Sequence, residues 1–193
     1  MPLKSKVLVV RRLVVGDEDL LVKVYGWGGM MNLYAKDGAL PESGYASIFE
    51  PFNLLQLVYR QSGEFILPLD VEKVYYMSYL ASSDYRRFLW MSSVLGFFEK
   101  WISYYDLHIF NLLISYMSIN VKNMHPFLIR FKIDLLKTAG LYRDEIFEEG
   151  IRPLVKKLSK STLIHLERLR IDKQTAEKID KTIDSHLEGS LGL

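Results

Sequence analysis

The sequence has 193 residues, 49% hydrophobic and 25% charged, with a formal net charge of +2, values that are ordinary for a soluble globular protein. It contains no cysteine, which excludes disulfides, thiol nucleophiles and cysteine-ligated zinc, and its four histidines are scattered, so neither a metal nor another cofactor is predicted. No apolar run reaches the roughly 20 residues of a transmembrane helix, and an apolar signal segment is missing; a cytoplasmic protein without membrane contact is therefore predicted.

Short strands separated by glycine-containing turns are predicted for the first part of the chain, because β-branched and alternating apolar runs recur there. The predicted strands are Lys6–Val15, Leu20–Tyr25, Met31–Lys36, Pro51–Arg60 and Phe65–Tyr75. Pro68 could divide the last of them, and Asp37–Ala46 is predicted as a loop. Five or six such strands in so short a segment favour a small closed barrel, which also leaves no apolar sheet edge exposed.

After about Ser82 the apolar residues recur every three or four positions, which is typical of amphipathic helices. Helical faces are predicted for Phe88 to Tyr105, Ile109 to Met117, Leu128 to Leu136, Leu154 to Leu158, Leu163 to Leu169 and Ala176 to Leu187. Ser83-Asp84, Ser161-Thr162 and Asp172 are predicted helix caps, and Gly140 is placed to end the third helix. The predicted fold class is α+β, with an all-β part in residues 1–78 and an all-α part in residues 79–193.

Several short motifs follow one another in an order that narrows the family. They are Val7–Arg12, Gly16–Leu21, Ala35-Lys36-x-Gly38, Glu50-Pro51-Phe52, Ser83–Arg87 and Arg130-Phe131-x-x-x-Leu135-Leu136-x-x-Ala139-Gly140. In this order, over residues 6–142, the sequence resembles the RecO family of bacterial recombination mediators. The resemblance implies a five-stranded oligonucleotide-binding (OB) barrel followed by a helical domain.

The same resemblance implies a role in DNA repair and recombination. A RecO-like protein would bind single-stranded DNA, anneal it, and assist recombinase loading together with RecR and single-strand-binding protein. The sequence departs from many members in two places: the Asp37–Glu42 loop is acidic rather than basic, and Leu141–Arg152 carries no cysteine, so the helical domain would lack a zinc module. The alternative hypothesis is a scaffold protein of the same fold that acts through protein partners without appreciable DNA binding.

Single strands are bound by basic grooves with aromatic platforms, because phosphates attract cations and bases stack on rings. The candidate nucleic-acid-binding residues are Lys36, Tyr34, Lys6, Arg11, Arg12, Lys23 and Trp27, with Lys4 beside them. These cations could equally be ordinary solvated residues, and adjacent strand positions such as Arg11 and Arg12 point to opposite faces. Trp27, on a glycine-framed turn, either contacts a ligand or covers the barrel core.

The segment from Arg152 to Lys181 holds nine Lys and Arg against four Asp and Glu. The candidate partner-binding residues there are Lys156, Lys157, Lys160, Arg168 and Arg170. Such a basic face would suit the acidic, apolar-ended tail of single-strand-binding protein, a partner that the resemblance supplies. The alternative is a solvated polar face on amphipathic helices.

Enzymatic activity is not predicted. The acidic run Asp17–Asp19 is typical of a solvated hairpin turn, and no histidine or second carboxylate group stands at a matching spacing. Phosphate-cradling glycine motifs are also missing from the sequence. No catalytic residue is therefore assigned.

Overall fold

The computed structural model describes residues 1–191, without the side chain of Leu191, and begins with a closed five-stranded barrel. The strands are β1 (Leu3–Val15), β2 (Asp19–Gly26), β3 (Gly29–Ala35), β4 (Leu54–Ser62) and β5 (Phe65–Tyr75). Their order around the barrel is β1-β2-β3-β5-β4, with β4 pairing back onto β1. β3 and β5 pair in parallel, and the other neighbours are antiparallel. The barrel and the helices that follow it confirm the predicted fold class, an OB-type barrel and then α-helices.

The barrel interior is filled by side chains from alternate strand positions, with one further ring from Phe49 between β3 and β4. Its buried core contains Val7, Val9, Leu20, Val22, Val24, Leu33, Ala35, Phe49, Leu55, Leu57, Tyr59 and Ile66. Because successive strand residues point to opposite faces, this alternation leaves the residues between them on the outer surface of the barrel. Burial of each large apolar side chain contributes about 1.5–3 kcal/mol, and this core therefore fixes the register that orients the outer face.

Two details of the barrel differ from the sequence-based expectation. β5 continues through Pro68 without a break, and its register against β4 shifts twice, between Gln56 and Leu57 and between Val58 and Tyr59. The segment Asp37–Ala46 contains a 3-10 turn at Pro41–Ser43 and the start of the one-turn helix α1 (Tyr45–Ile48). A single turn is too short to produce a periodic apolar pattern, so it was not predictable from periodicity.

Seven further helices follow in the described residues: α2 (Ser78–Ser82), α3 (Tyr85–Trp101), α4 (Leu107–Ser118), α5 (Met124–Thr138), α6 (Arg152–Lys160), α7 (Leu163–Arg168) and α8 (Lys173–Leu191). The predicted caps are confirmed, since Asp84 accepts from the backbone N–H of Arg86, Thr162 from that of His165, and Asp172 from that of Thr175. Gly140 ends the run after α5 with φ of 72°. Within residues 1–191, none of these helices has the length and apolar character needed to cross a membrane.

The chain forms two compact units, Met1–Phe110 and Asn111–Leu193. The predicted division between residues 78 and 79 follows the change from strands to helices, whereas the first compact unit includes α2 and α3 as well as the barrel. These helices therefore belong to the structural context of any site on the barrel.

Tyr25, at the end of β2, anchors α3 and the segment after it to the outside of the barrel. Its side chain is fully buried, and its ring lies 4.7 Å from that of Phe98 and 5.8 Å from that of Phe110. Its hydroxyl accepts a hydrogen bond from the backbone N–H of Asp106. Burial raises the pKa of Tyr25 to about 12, so the phenol stays neutral and can remain in this apolar setting.

The turn between β2 and β3 touches the loop after α3 at Gly29. The backbone N–H of Met30 donates to the carbonyl of Ser103 at 2.8 Å, and Gly29 has φ of 79°. A Cβ atom at position 29 would lie 2.4 Å from the Ser103 oxygen, which is closer than atoms can approach. Glycine is therefore needed here for both its backbone conformation and its lack of a side chain.

In the second unit, α5 packs against α6, α7 and α8. Arg130 of α5 pairs with Asp134 at 2.8 Å and donates to the backbone carbonyls of Leu158, in the last turn of α6, and of Ser161, just after that helix. The hydroxyl of Tyr116 donates to Asp134 at 2.6 Å, so one polar network joins α4, α5 and α6. Burial, and after it the Asp134 carboxylate, raises the pKa of Tyr116 far above its ordinary value.

In the first unit, Asn53 joins three segments of backbone through a fully buried side chain. Its amide nitrogen donates to the carbonyls of Ser47 and Ile48 at 3.1 and 3.0 Å, and its amide oxygen accepts from the N–H of Ser78 at 3.1 Å. These three bonds hold the end of α1 and the start of α2 against the beginning of β4. Nothing in the sequence pattern distinguishes this asparagine from a surface residue.

Replacing Asn53 should therefore destabilise the first unit. Asn53→Ala leaves the three backbone groups without partners, and we expect a loss of about 2–4 kcal/mol in the free energy of unfolding. Asn53→Asp should cost more, because a carboxylate would face two carbonyl oxygens. Urea denaturation measures both. The control is Asn32→Ala, an exposed position on β3, which should change stability by less than about 0.5 kcal/mol; equal effects at both positions would contradict this role.

Candidate nucleic-acid interface

Two of the candidate cations, Arg11 and Lys23, converge on one carboxylate of helix α3. Arg11 Nη2 lies 3.0 Å from Glu99 Oε2, and Lys23 Nζ lies 2.9 Å from Glu99 Oε1. The Glu99 side chain is only 14% exposed. The structure thus brings these two predicted residues together, but their charges are directed at a partner within the first unit.

The protonation of Glu99 follows from these contacts. Burial acts to raise its pKa, but the hydrogen bonds and charges of Lys23 and Arg11 outweigh burial, and the pKa lies below its ordinary value. The carboxylate is therefore ionised at neutral pH. An ion triplet of this kind holds α3 on the outer surface of β1 and β2 next to Tyr25.

Arg12 contacts a different part of the first unit. Its guanidinium lies 2.8 Å from a carboxylate oxygen of Glu50 and also donates to the carbonyl of Ala46. Arg11 and Arg12 thus reach different elements, in line with the alternation of strand residues. Neither guanidinium is an unengaged cation on the barrel surface.

Tyr34 and Lys36 lie where β3 ends. The Tyr34 hydroxyl donates to one carboxylate oxygen of Asp19, whose other oxygen accepts from the backbone N–H of Asp37 at 2.8 Å. The hydrogen bond lowers the pKa of Asp19 and raises that of Tyr34. Lys36 is exposed, but Asp19 and Asp37 beside it offset its attraction for a phosphate.

Trp27 is 73% exposed, so it does not cover the barrel core, and that alternative is excluded. Its backbone N–H donates to the Ser5 hydroxyl at 3.2 Å. Ser5 lies between Lys4 and Lys6 in β1. The turn that carries the tryptophan therefore adjoins the only stretch of β1 with two lysines.

Lys6 belongs to a basic cluster that the sequence reading only partly identified. Across three neighbouring strands, Lys6 pairs with Gln56 and Gln56 pairs with Lys73. The ammonium groups of Lys6 and Lys73 lie 5.9 and 4.7 Å from the centre of the Tyr75 ring. We call this the Tyr75 surface; its depression of about 420 Å³ is lined by Lys4, Lys6, Gln56, Glu72, Lys73 and Tyr75. Lys73 and Tyr75 were not among the predicted binding residues. Their spacing of two positions puts them on one face of a strand, and this pattern could have indicated them from the sequence.

A larger depression in the first unit has a different character. It measures about 520 Å³ and is lined mainly by apolar groups, among them Pro51, Phe52, Tyr79 and Phe88. Its lining includes the carboxylate of Glu50 and no lysine or arginine. This chemistry does not suit a phosphate backbone, so the Tyr75 surface is the better nucleic-acid candidate.

In the second unit, the candidate partner-binding residues are on or just after α6 and α7. Lys156 pairs with Asp144 at 3.2 Å, while Lys157 and Lys160 are exposed on the same helix. Arg168 and Arg170 are exposed at and beyond the end of α7. Near them, α7 presents Leu163 and Ile164, which are 52% and 69% exposed. Exposed apolar side chains thus accompany the cations in this unit.

A metal centre is not among the sites that can be built from residues 1–191. No group of three or more histidine, aspartate or glutamate side chains in this part of the chain is arranged to hold an ion. The cations and aromatic rings described above are therefore the groups from which a functional surface can be assembled.

Fold and surface together define an OB-type barrel protein with a helical second unit. The sequence is 35% identical over 150 residues to an uncharacterized protein of Aquifex aeolicus (strain VF5), an alignment that covers 78% of this chain and 70% of that protein. The chain belongs to the same family as this Aquifex protein. No model of a known protein family matches the sequence.

The ion triplet at Glu99 gives a prediction for stability. Glu99→Gln removes a charge-assisted partner from Arg11 and Lys23, and we expect it to lower the free energy of unfolding at pH 7 by about 1–2 kcal/mol. Because the folded pKa of Glu99 is depressed, its contribution is fully present above the pKa in the unfolded chain and is lost as pH falls through the folded pKa.

Urea denaturation at pH 7 and at a series of acidic pH values tests both parts. The difference between the parent protein and Glu99→Gln should shrink as the solution is acidified. Glu64→Gln, at an exposed position in the β4–β5 turn, is the control and should have little effect at any pH. A difference that stays constant down to the acid range would contradict the ionised triplet.

Proposed function

We propose that the protein binds single-stranded DNA and acts as a recombination mediator of the RecO type. In this role it assists strand annealing and recombinase loading together with RecR and single-strand-binding protein, and it needs no catalytic residue of its own. The ordered motifs over residues 6–142 support the family assignment, and the OB-type barrel is a fold that often binds oligonucleotides. Fold alone does not define function, so the surface must supply the rest of the support.

One observation carries the proposal: two cations lie against an exposed aromatic ring on the outside of the barrel. Tyr75, 44% exposed, is flanked by Lys6 and Lys73. The exposed Trp27 stands on a turn bonded to the same stretch of β1. Single-strand binding needs both components, because phosphates are neutralised by lysines while unpaired bases stack on rings.

A scaffold without DNA affinity is the second candidate, and the ion pairs favour it. Arg11, Arg12 and Lys23 all have carboxylate partners within the first unit. Residues 1–78 carry eight Lys and Arg against nine Asp and Glu, so this part of the chain has no general attraction for DNA. DNA binding therefore depends on a local basic surface such as the Tyr75 surface; without one, the scaffold hypothesis applies.

The surface of the second unit suits a protein partner that presents an acidic peptide ending in apolar residues. Lys157 and Lys160 provide exposed charge on α6, and Ile164 provides exposed apolar surface on α7. The tail of single-strand-binding protein, the partner that the resemblance to RecO implies, has this chemistry. Charge complementarity of this kind mainly determines specificity and the rate of association.

Binding to DNA is tested with a fluorescently labelled oligonucleotide and anisotropy over a range of salt concentrations. We expect binding at low salt that weakens as salt increases, because bound phosphates release their counterions. Intrinsic fluorescence provides a second readout: of the three tryptophans, Trp90 and Trp101 are buried and Trp27 is exposed. The oligonucleotide should quench the parent protein, and Trp27→Phe should abolish most of that quenching. No binding at low salt would leave only the scaffold hypothesis.

Partner binding is tested with a synthetic peptide that is acidic and ends in apolar residues. Lys157→Glu combined with Lys160→Glu should weaken the peptide complex at least several-fold, because both changes place carboxylates against an acidic ligand. Oligonucleotide binding by the same variant should stay within about twofold of the parent. Isothermal titration calorimetry measures the peptide complex; an unchanged affinity would contradict the assignment of these lysines.

A further inference from the structure

We propose that the Tyr75 surface, on the outer face of β1, β4 and β5, is the binding site for single-stranded DNA. In this site Lys6 and Lys73 contact phosphates of the DNA, and a base stacks on the Tyr75 ring. This inference rests on the proposed DNA-binding function and specifies its site. The ligand class is an unpaired nucleotide segment, because the surface joins cationic groups to an accessible ring.

The register of the sheet builds this surface. Lys6, Gln56 and Lys73 form one cross-strand row, since β1 pairs with β4 and β4 pairs with β5. Neighbouring strands are about 4.8 Å apart, so the two lysine positions are separated by about 10 Å, with an amide between them. Tyr75, two residues after Lys73, lies on the same face of β5. Two phosphate contacts and one base platform therefore fit on a single rigid patch.

Charge at this surface is positive but not dense. Glu72 pairs with Lys4 at 2.5 Å and so neutralises one of the three lysines. Lys6 and Lys73 instead lie over the Tyr75 ring, a contact that is worth only about 0.5–1 kcal/mol at an exposed site. A phosphate is the stronger partner for an ammonium group. Binding would draw the lysines to phosphates and leave more of the ring free for a base.

The alternative face of the barrel is occupied. Oligonucleotide-binding barrels commonly use the surface of strands 2 and 3. Here the end of β2 is covered, because Tyr25 is buried against Phe98 and Lys23 is bonded to Glu99 of α3. At the other end of these strands, Asp19 and Asp37 surround Lys36 and oppose a phosphate backbone. The geometry of the first unit thus leaves β1, β4 and β5 as the available basic face.

Trp27 extends the path of the strand beyond β1. The turn that carries it is bonded to Ser5, and the outer row that starts at Lys73 on β5 passes Gln56 and reaches Lys6 next to that serine. A strand that follows this row from Tyr75 towards β1 ends next to the turn that carries the tryptophan. The quenching of Trp27 and the loss of affinity at Tyr75 should therefore be seen with the same oligonucleotide.

The test is a set of variants at the Tyr75 surface, measured by anisotropy against salt. Lys6→Ala with Lys73→Ala should weaken binding at least tenfold at low salt and reduce the slope of log affinity against log salt by about 1.4, since each lost phosphate contact on a single strand removes about 0.7. Tyr75→Ala should weaken binding about tenfold, whereas Tyr75→Phe, which keeps the ring, should bind like the parent.

Lys122→Ala with Lys173→Ala, two exposed lysines of the second unit outside the candidate binding residues, is the control and should leave the slope unchanged. Circular dichroism confirms that each variant is folded. If the parent binds DNA and the Tyr75-surface variants bind equally well, this site is wrong and the proposed function stands. If the parent does not bind at low salt, the proposed function and this site are both overturned.

Discussion

The contact of helix α3 with the outside of β2 decides which surfaces of the barrel are available. Tyr25 contributes buried aromatic area, and Glu99 satisfies two cations that would otherwise remain on an open strand face. The two cations and the Glu99 carboxylate depend on one another. Without the carboxylate, Arg11 and Lys23 would be left as two positive charges facing each other. The α3 contact thus covers a strand face that could otherwise bind a ligand. The lysines of the Tyr75 surface, on β1, β4 and β5, stay exposed.

The sequence predicted the local structure well because local rules determine it. Alternation and β-branched residues identified the five strands, three-to-four-residue spacing identified the larger helices, and the caps at Asp84, Thr162 and Asp172 were correct. The candidate site was harder, because the partners of Arg11 and Lys23 lie 88 and 76 residues away in the chain. Pattern reading shows that a residue is charged and on a strand, but not what faces it after folding.

In the proposed role, a small cationic surface suits a protein that passes DNA on to other proteins better than a long one does. Each phosphate contact adds to affinity and to its salt dependence, so a few contacts give binding that competitors can displace. The Tyr75 surface offers one aromatic ring and two lysines, Lys6 and Lys73, that lie over this ring. Its third lysine, Lys4, forms an ion pair with Glu72. The acidic neighbours of Lys36 make that end of the barrel unfavourable for a phosphate backbone, which further confines the proposed strand to the Tyr75 surface.

The attachment of α3 also has a consequence for synthesis on the ribosome. The hairpins β1–β2 and β2–β3 are local and can form early, but the groups that cover Tyr25 arrive only with Phe98 and Phe110. Until then a nascent chain with a complete set of strands still exposes the Tyr25 ring, and exposed apolar surface makes such a state prone to association with other chains. The first unit can therefore complete its packing only after residues well beyond Tyr75, the end of its last strand, have emerged.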